Sequence, residues 1–185
     1  MLLSIRLCAC GVDIGYHCAR AAKFFGMTVL AVRRRPELSE GDEVIDECFG
    51  TDDIPTVMSE SDYVVVATPL TKSTVGLIGK KELAVAKEGQ VLINISRGAV
   101  MDEDALIEAL QSGERIKGAA LDVFCTEPLP KSSPFWNVPN LLLSPHNADM
   151  TVSFRHQSIK HFTLNCHRFV GGEELESIVD KECGY

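Results

Sequence analysis

Hydrophobic residues in this chain fall into two alternating patterns. Tyr63-Val64-Val65-Val66-Ala67 and Val91-Leu92-Ile93-Asn94-Ile95 are continuous, largely β-branched runs, as expected of strands covered on both faces. Leu2 to Ala9, Thr28 to Val32, Gly118 to Val123 and Asn140 to Leu143 read as further strands. Between these runs the apolar spacing lengthens to the helical period. Tyr16 to Phe25 gathers Cys18, Ala21, Ala22 and Phe25 on one face, and Gly26 stands where a left-handed cap would end the helix. Lys80 to Lys87 reads as a short helix closed by Gly89. Asp102 or Glu103 opens another, which runs through Ala105, Leu106, Ala109 and Leu110 to Gly113. Phe154 to Val170 is the last helix, followed by Gly171-Gly172 and a polar tail. Apolar strands alternating with helices specify an α/β fold built on a parallel, doubly wound sheet.

Composition and charge narrow the functional classes. The 185 residues are 45% hydrophobic, 24% charged and 6% aromatic, a globular balance that excludes disorder, collagen and coiled coil. A formal net charge of -8 argues against a nucleic-acid partner, which calls for a basic stripe. No apolar run approaches the roughly 20 residues needed to span a bilayer, so no membrane partner is expected. Met1 to Leu7 reads as strand rather than signal peptide, since Arg6 interrupts its apolar run instead of preceding it. Seven cysteines, at 8, 10, 18, 48, 125, 166 and 183, form no CxxC pair or zinc-type cluster. They read as reduced intracellular thiols, which implies a cytoplasmic protein without a metal site.

In a doubly wound sheet, ligands sit at the carboxyl ends of the strands. After the first strand comes Cys10-Gly11-Val12-Asp13-Ile14-Gly15. A dinucleotide fingerprint wants glycine at positions 10, 12 and 15, and only Gly15 is in register. A bland turn with two incidental glycines explains this segment equally well. Arg33 lies eighteen residues beyond Gly15, where NAD-selective sheets place an acid. Arginine there favours a ribose 2′-phosphate, although Arg33 to Arg35 also read as a solvated basic turn. Further strand ends carry Thr68-Pro69-Leu70-Thr71, Ser96-Arg97-Gly98, Asp122 with Glu127, and Ser144-Pro145-His146-Asn147. His146 is the one histidine of five at a strand terminus. Taken together, an arginine, two acids and a histidine at one sheet edge suit carbonyl reduction. An imidazolium gives the proton, a carboxylate orients it, and the arginine clamps a substrate carboxylate. Scattered structural roles are the other reading of the same four residues.

Longer stretches carry a resemblance. Leu92-Ile93-Asn94-Ile95-Ser96-Arg97-Gly98, Asp102-Glu103-Asp104-Ala105-Leu106, Gly118-Ala119-Ala120-Leu121-Asp122-Val123-Phe124, Glu127-Pro128-Leu129-Pro130 and Ser144-Pro145-His146 follow one another in order. This series resembles the D-isomer-specific 2-hydroxyacid dehydrogenases, as do Thr68 to Thr71 and the helix Ala19 to Met27. The resemblance implies a Rossmann-type domain and hydride transfer between NAD(P)H and a small 2-oxo or 2-hydroxy acid. It implies Arg97 as the carboxylate clamp, His146 as acid/base with Glu127 as its partner, and Asp122 as the acid that holds the nicotinamide carboxamide. It further implies that Asp13, Ile14 and Gly15 form the phosphate turn. Thr68, Pro69, Thr74, Ile95, Ser96, Arg97 and His146 would line the cofactor. Arg33 and Arg34 would favour NADP(H) over NAD(H), as in glyoxylate and hydroxypyruvate reductases.

Two departures from the family pattern set further expectations. Cys10 and Val12 replace fingerprint glycines, and a Cβ pressed toward a diphosphate is expected to cost about a hundredfold in affinity. Members of the family also carry a substrate domain built largely from an N-terminal segment. This chain opens on the first cofactor-domain strand, so the expectation is a single, truncated cofactor domain with the substrate domain largely absent. Its expected parts are a dinucleotide-binding domain over 1–150 and a C-terminal helix and tail over 151–185. The helix from Phe154 would then expose its apolar face. A homodimer and aggregation through the exposed helix are both open as assemblies, and the alternative function is a non-catalytic truncated cofactor-binding module or a dimerisation partner of full-length relatives.

Overall fold

The computed structural model describes residues 6–10, 13–148 and 150–181. The chain divides into two compact units, Met1–Pro145 and His146–Tyr185. Among the described residues the first holds seven strands: β1 (Arg6–Cys10), β2 (Thr28–Val32), β3 (Glu47–Phe49), β4 (Tyr63–Val66), β5 (Gln90–Asn94), β6 (Ile116–Leu121) and β7 (Leu141–Leu143). Its helices are α1 (Asp13–Phe24), α2 (Ile54–Glu60), α3 (Lys80–Ala84) and α4 (Glu103–Ser112). The strands form one sheet in the order β3-β2-β1-β4-β5-β6-β7, and every pairing is parallel. The chain therefore winds outward from β1 through β3, returns beside β1 at β4, and winds outward the other way. The carboxyl ends of β1 and β4 mark the switch point where such sheets bind ligands.

Alternation along the central strands builds a core on each face. Leu30, Val32, Val64, Val66 and Leu92 join one buried cluster with Val57, Met58, Leu106 and Leu110 from α2 and α4. Val29 and Val65 point the other way, into a smaller cluster with Ala19 and Ala22 of α1. A fully buried side chain such as Leu92 contributes about 1.5–3 kcal/mol of transfer free energy. Caps fix α4 as its sequence specifies. The Asp102 carboxylate accepts the Ala105 N–H at 3.0 Å, and Gly113 ends the helix at φ 64°, a conformation costly to a residue with a Cβ.

The structure corrects the sequence reading in several places. Between Arg35 and Tyr63, where no element was expected, lie β3 and α2. The Pro55 ring falls in the first turn of α2, where no backbone donor is needed, so this proline opens a helix rather than breaking one. Cys10 belongs to β1, paired with Val32 and Val66, and not to the turn that follows. The expected Leu2–Ala9 strand begins partly outside the described residues. α3 stops at Ala84 rather than Lys87, and β6 ends at Leu121, which leaves Asp122 and Val123 in the loop beyond it.

The second unit consists chiefly of α5 (Phe154–Gly171), capped by Gly172 at φ 70°. Arg168 and Asn165 hold the polar tail against it. The Asn165 amide exchanges two hydrogen bonds with the Glu176 backbone, and Arg168 Nη2 donates to Glu176 Oε1 at 2.6 Å. α5 contains no buried residue. Ile159, Phe162 and Phe169 are all exposed. Among the described residues no helix is long and apolar enough to cross a membrane.

Candidate active site at the carboxyl edge of the sheet

Two adjoining strand ends bring Arg97, Asp122 and Glu127 into neighbouring loops. From Val91 onward β5 and β6 pair with Asn94 opposite Leu121, and the Asp122 N–H extends that ladder to the Asn94 carbonyl at 3.0 Å. Asn94 then organises the turn beyond it. Its Oδ1 accepts the Ser96 N–H at 3.0 Å and the Ser96 hydroxyl at 2.8 Å, while its Nδ2 donates to the Arg97 carbonyl at 3.2 Å. A side-chain amide with 1% exposure would be costly in this core without those bonds. The turn leaves the Arg97 side chain exposed, with Nη1 donating to the Ser96 carbonyl at 2.6 Å. The remaining N–H groups of that planar fork suit a carboxylate.

Behind Arg97, the two loops touch backbone to backbone. An ideal Cβ on Gly98 would stand 2.0 Å from the Phe124 carbonyl carbon and 2.2 Å from the Cys125 nitrogen. Glycine is required here by close approach. The Cys125 N–H donates to Glu103 Oε1 at 2.7 Å, and the Phe124 N–H donates to Glu127 Oε1 at 2.9 Å. These bonds shape the loop from Asp122 to Glu127. Asp122 is buried at 5% exposure and accepts the Ser144 hydroxyl at 2.5 Å. Glu127 is exposed. Partial burial, and then the charge of Glu103, push the Cys125 thiol up to about 11, which leaves it a poor nucleophile at neutral pH. Sequence reasoning missed Asn94, Gly98, Glu103 and Ser144 as supports of this site. The one signal available was an amide closing the apolar run Val91 to Ile93.

At the switch point, α1 begins at Asp13 and points its N-terminus toward the strand ends, where a helix favours anions. Ile14 is exposed and Gly15 buried. Gly11 and Val12 lie outside the described residues, as do the side chains of Cys10 and Asp13. After β4, Thr68 is half-buried and Pro69 exposed. The Thr74 hydroxyl is engaged within its own loop, donating to the Pro69 carbonyl and accepting the Thr71 N–H, both at 2.7 Å. The Ile95 N–H is given to the Val66 carbonyl, and Ser96 is buried.

Arg33 follows β2 and is half-buried. Its N–H continues the ladder to Phe49, and its Nη1 donates to Ser39 Oγ at 2.7 Å. Its Nε is buried with no hydrogen-bond partner. Arg34 is exposed. Arg33 has no carboxylate partner among the described residues, so its donor set fits an anionic ligand such as a phosphate.

His146 opens the second unit and is exposed. Its backbone is left-handed at φ 51°, a conformation uncommon outside glycine. The other four histidines lie in α1 and α5. Among the described residues no group of three His, Cys, Asp or Glu side chains could hold a metal ion.

Comparison with known proteins assigns the architecture. Residues 7–148 match the model of the D-isomer specific 2-hydroxyacid dehydrogenase, NAD binding domain. Glyoxylate/hydroxypyruvate reductase B of Pectobacterium carotovorum is 40% identical over 172 residues, covering 91% of this chain and 52% of the relative. Glyoxylate reductase of Thermococcus gammatolerans is 40% identical over 171 residues, covering 91% and 49%. The chain thus spans about half the length of the curated relatives it matches. Among solved structures, a D-isomer specific 2-hydroxyacid dehydrogenase from Xanthobacter autotrophicus in complex with NADPH superposes with a TM-score of 0.88 at 36% identity. That match covers 98% of this chain and 73% of the other. An NADPH-dependent glyoxylate/hydroxypyruvate reductase from Sinorhizobium meliloti, in complex with NADP, gives 0.85 at 30% identity, covering 98% and 57%. On this evidence the chain belongs to the D-isomer specific 2-hydroxyacid dehydrogenase family and carries its NAD(P)-binding domain.

Proposed function

We propose that this chain binds NADP(H) in preference to NAD(H) and serves the reduction of a small 2-oxo acid of the glyoxylate or hydroxypyruvate type. The observation that carries the reading is the pair of loops after β5 and β6. They are locked together at Gly98 and bear an exposed arginine, a buried acid and an exposed acid. When bound, a reduced nicotinamide supplies the hydride. Arg97 clamps the substrate carboxylate through two parallel hydrogen bonds. Asp122, already oriented by the Ser144 hydroxyl, accepts from the nicotinamide carboxamide. His146 gives a proton to the carbonyl oxygen, with Glu127 as its carboxylate partner. Asp13, Ile14 and Gly15 at the α1 N-terminus hold the diphosphate, Thr68, Pro69, Thr74 and Ile95 to Arg97 line the dinucleotide, and Arg33 with Arg34 takes the 2′-phosphate. The names of the two reductases and the NADPH and NADP of the two superposed structures support this reading.

Parallel titrations of the purified chain with NADPH and NADH, followed by nicotinamide fluorescence, test it. Tight NADPH and weak NADH binding is expected, with Arg97→Ala abolishing turnover of glyoxylate or hydroxypyruvate. Failure to bind either cofactor, or turnover that survives Arg97→Ala, overturns it.

A further inference from the structure

We infer that Ser39 sets cofactor choice by holding the Arg33 guanidinium in place without neutralising it, an inference that rests on the NADP(H) reading above. The sequence puts Ser39 at the end of the turn Pro36–Ser39, six residues from Arg33, and no resemblance singles it out. The structure buries it to 7% exposure, with its hydroxyl accepting from Arg33 Nη1 at 2.7 Å. Arg33 is consequently fixed at two points. Its backbone N–H is held by the Phe49 carbonyl of β3, and its guanidinium is held by Ser39. A long side chain that is free to rotate loses rotamer entropy when it grips a ligand, whereas a tethered one has already lost it.

The chemistry of the tether matters as much as its position. Arg33 sits in a chain with 26 acidic and 18 basic residues, yet its partner is a neutral hydroxyl. A carboxylate at the same place would form an ion pair and cancel the charge that a phosphate needs. The neutral acceptor leaves the full positive charge, and Nε remains buried without a partner. A half-buried cation that is incompletely solvated and incompletely bonded gains most from a dianionic phosphate and little from a ribose hydroxyl. Ser39 is thus a positioning residue whose effect falls on NADP(H) alone.

Dissociation constants for NADPH and NADH, measured by titration on the full chain, separate this role from a structural one. Ser39→Ala is expected to raise the NADPH Kd about tenfold, the scale of one hydrogen bond to a charged group, and to leave NADH within about twofold. Ser39→Thr, which keeps the hydroxyl, should restore NADPH affinity. Ser39→Asp should reverse the preference toward NADH. In an Arg33→Ala background, Ser39→Ala should have no further effect, because the group it holds is gone. An equal loss for both cofactors, or no loss for NADPH while Arg33→Ala still discriminates, overturns the role of Ser39 and leaves the NADP(H) reading standing. A ratio unchanged by Arg33→Ala itself, or no binding of either cofactor, overturns both.

Discussion

Replacing Gly98 by alanine adds a single methyl group at the point where the Arg97 turn meets the loop from Asp122 to Glu127. The new Cβ would lie 2.0 Å from the Phe124 carbonyl carbon, 2.2 Å from the Cys125 nitrogen and 2.5 Å from the Phe124 oxygen. Ordinary contact begins well over 1 Å further out, and all three obstacles are backbone, so no side chain can swing aside. Neither loop is free to retreat. Phe124 and Cys125 are pinned by Glu127 and Glu103, and the segment beyond Gly98 is pinned by hydrogen bonds from Gly76 and Ile78 to Ala99 and Val100. Overpacking a well-filled site costs about 1–3 kcal/mol, and each hydrogen bond broken to relieve it costs about 1 kcal/mol more. The expected loss is therefore about 3–4 kcal/mol, or about 10 °C in Tm for a chain of this size.

Gly76→Ala is the matching control. Gly76 has φ 64° with nothing within 4 Å of its ideal Cβ, so its cost is the left-handed strain alone, about 1–2 kcal/mol. Circular dichroism melts and urea transitions of both variants give the comparison. A Gly98→Ala protein no less stable than Gly76→Ala would refute the close approach, and with it the locking of the two loops.

Two further changes probe the scaffold. Asn94→Ala leaves the Ser96 N–H and hydroxyl and the Arg97 carbonyl without their partners. It should cost about 3 kcal/mol in a urea transition, against a change within about 0.5 kcal/mol for Arg97→Ala at its exposed position; equal losses for the two would overturn the division between support and chemistry. Asp46 accepts hydrogen bonds from Lys23 at 2.5 Å and from the Val29 N–H at 2.8 Å, and the Lys23 bond, then the Val29 bond, lower its carboxyl below the ordinary value. A carboxyl lowered by folding stabilises the native state fully above its unfolded pKa of about 4 and loses that contribution as pH falls through the folded value. Asp46→Asn should therefore lower the urea midpoint at pH 7, with the gap closing below about pH 4. A gap independent of pH would show that the charge plays no part.

The central strands were legible because burial on both faces leaves a mark on composition. Val64 to Val66 and Leu92 have no polar neighbour to spoil the run, and both strands fall within a residue of where the sequence puts them. Caps are also local, and the Asp102 and Gly113 boundaries of α4 follow from adjacent residues alone. β3 was not legible because three residues at a sheet edge, one of them Glu47 exposed to water, have no period to detect. α2 was not legible because its seven residues span barely two turns, too few for a helical period to register. The supports of the site failed for a different reason. Ser144 reaches Asp122, and Glu103 reaches Cys125, each across 22 residues, so nothing near either serine or glutamate in the chain announces its partner.

The same contrast explains why the site divides as it does. Arg97 and Glu127, proposed to act on substrate, are exposed, whereas Asn94 and Gly98, which shape the turn behind Arg97, are buried; Asp122 is the one proposed chemical group that is itself buried. A group that must meet a substrate has to keep unspent hydrogen-bonding capacity, and water can satisfy that capacity only at the surface. The groups behind it must have none to spare, or the turn would open to find other partners. Motif resemblance names a role for the first kind, because a ligand fixes their identity. Coordinates are needed for the second, because their identity is fixed by one another. Stability and ligand binding should accordingly separate along this line. Loss of an exposed side chain removes binding and spares the fold, whereas loss of a buried one moves the loop and weakens both.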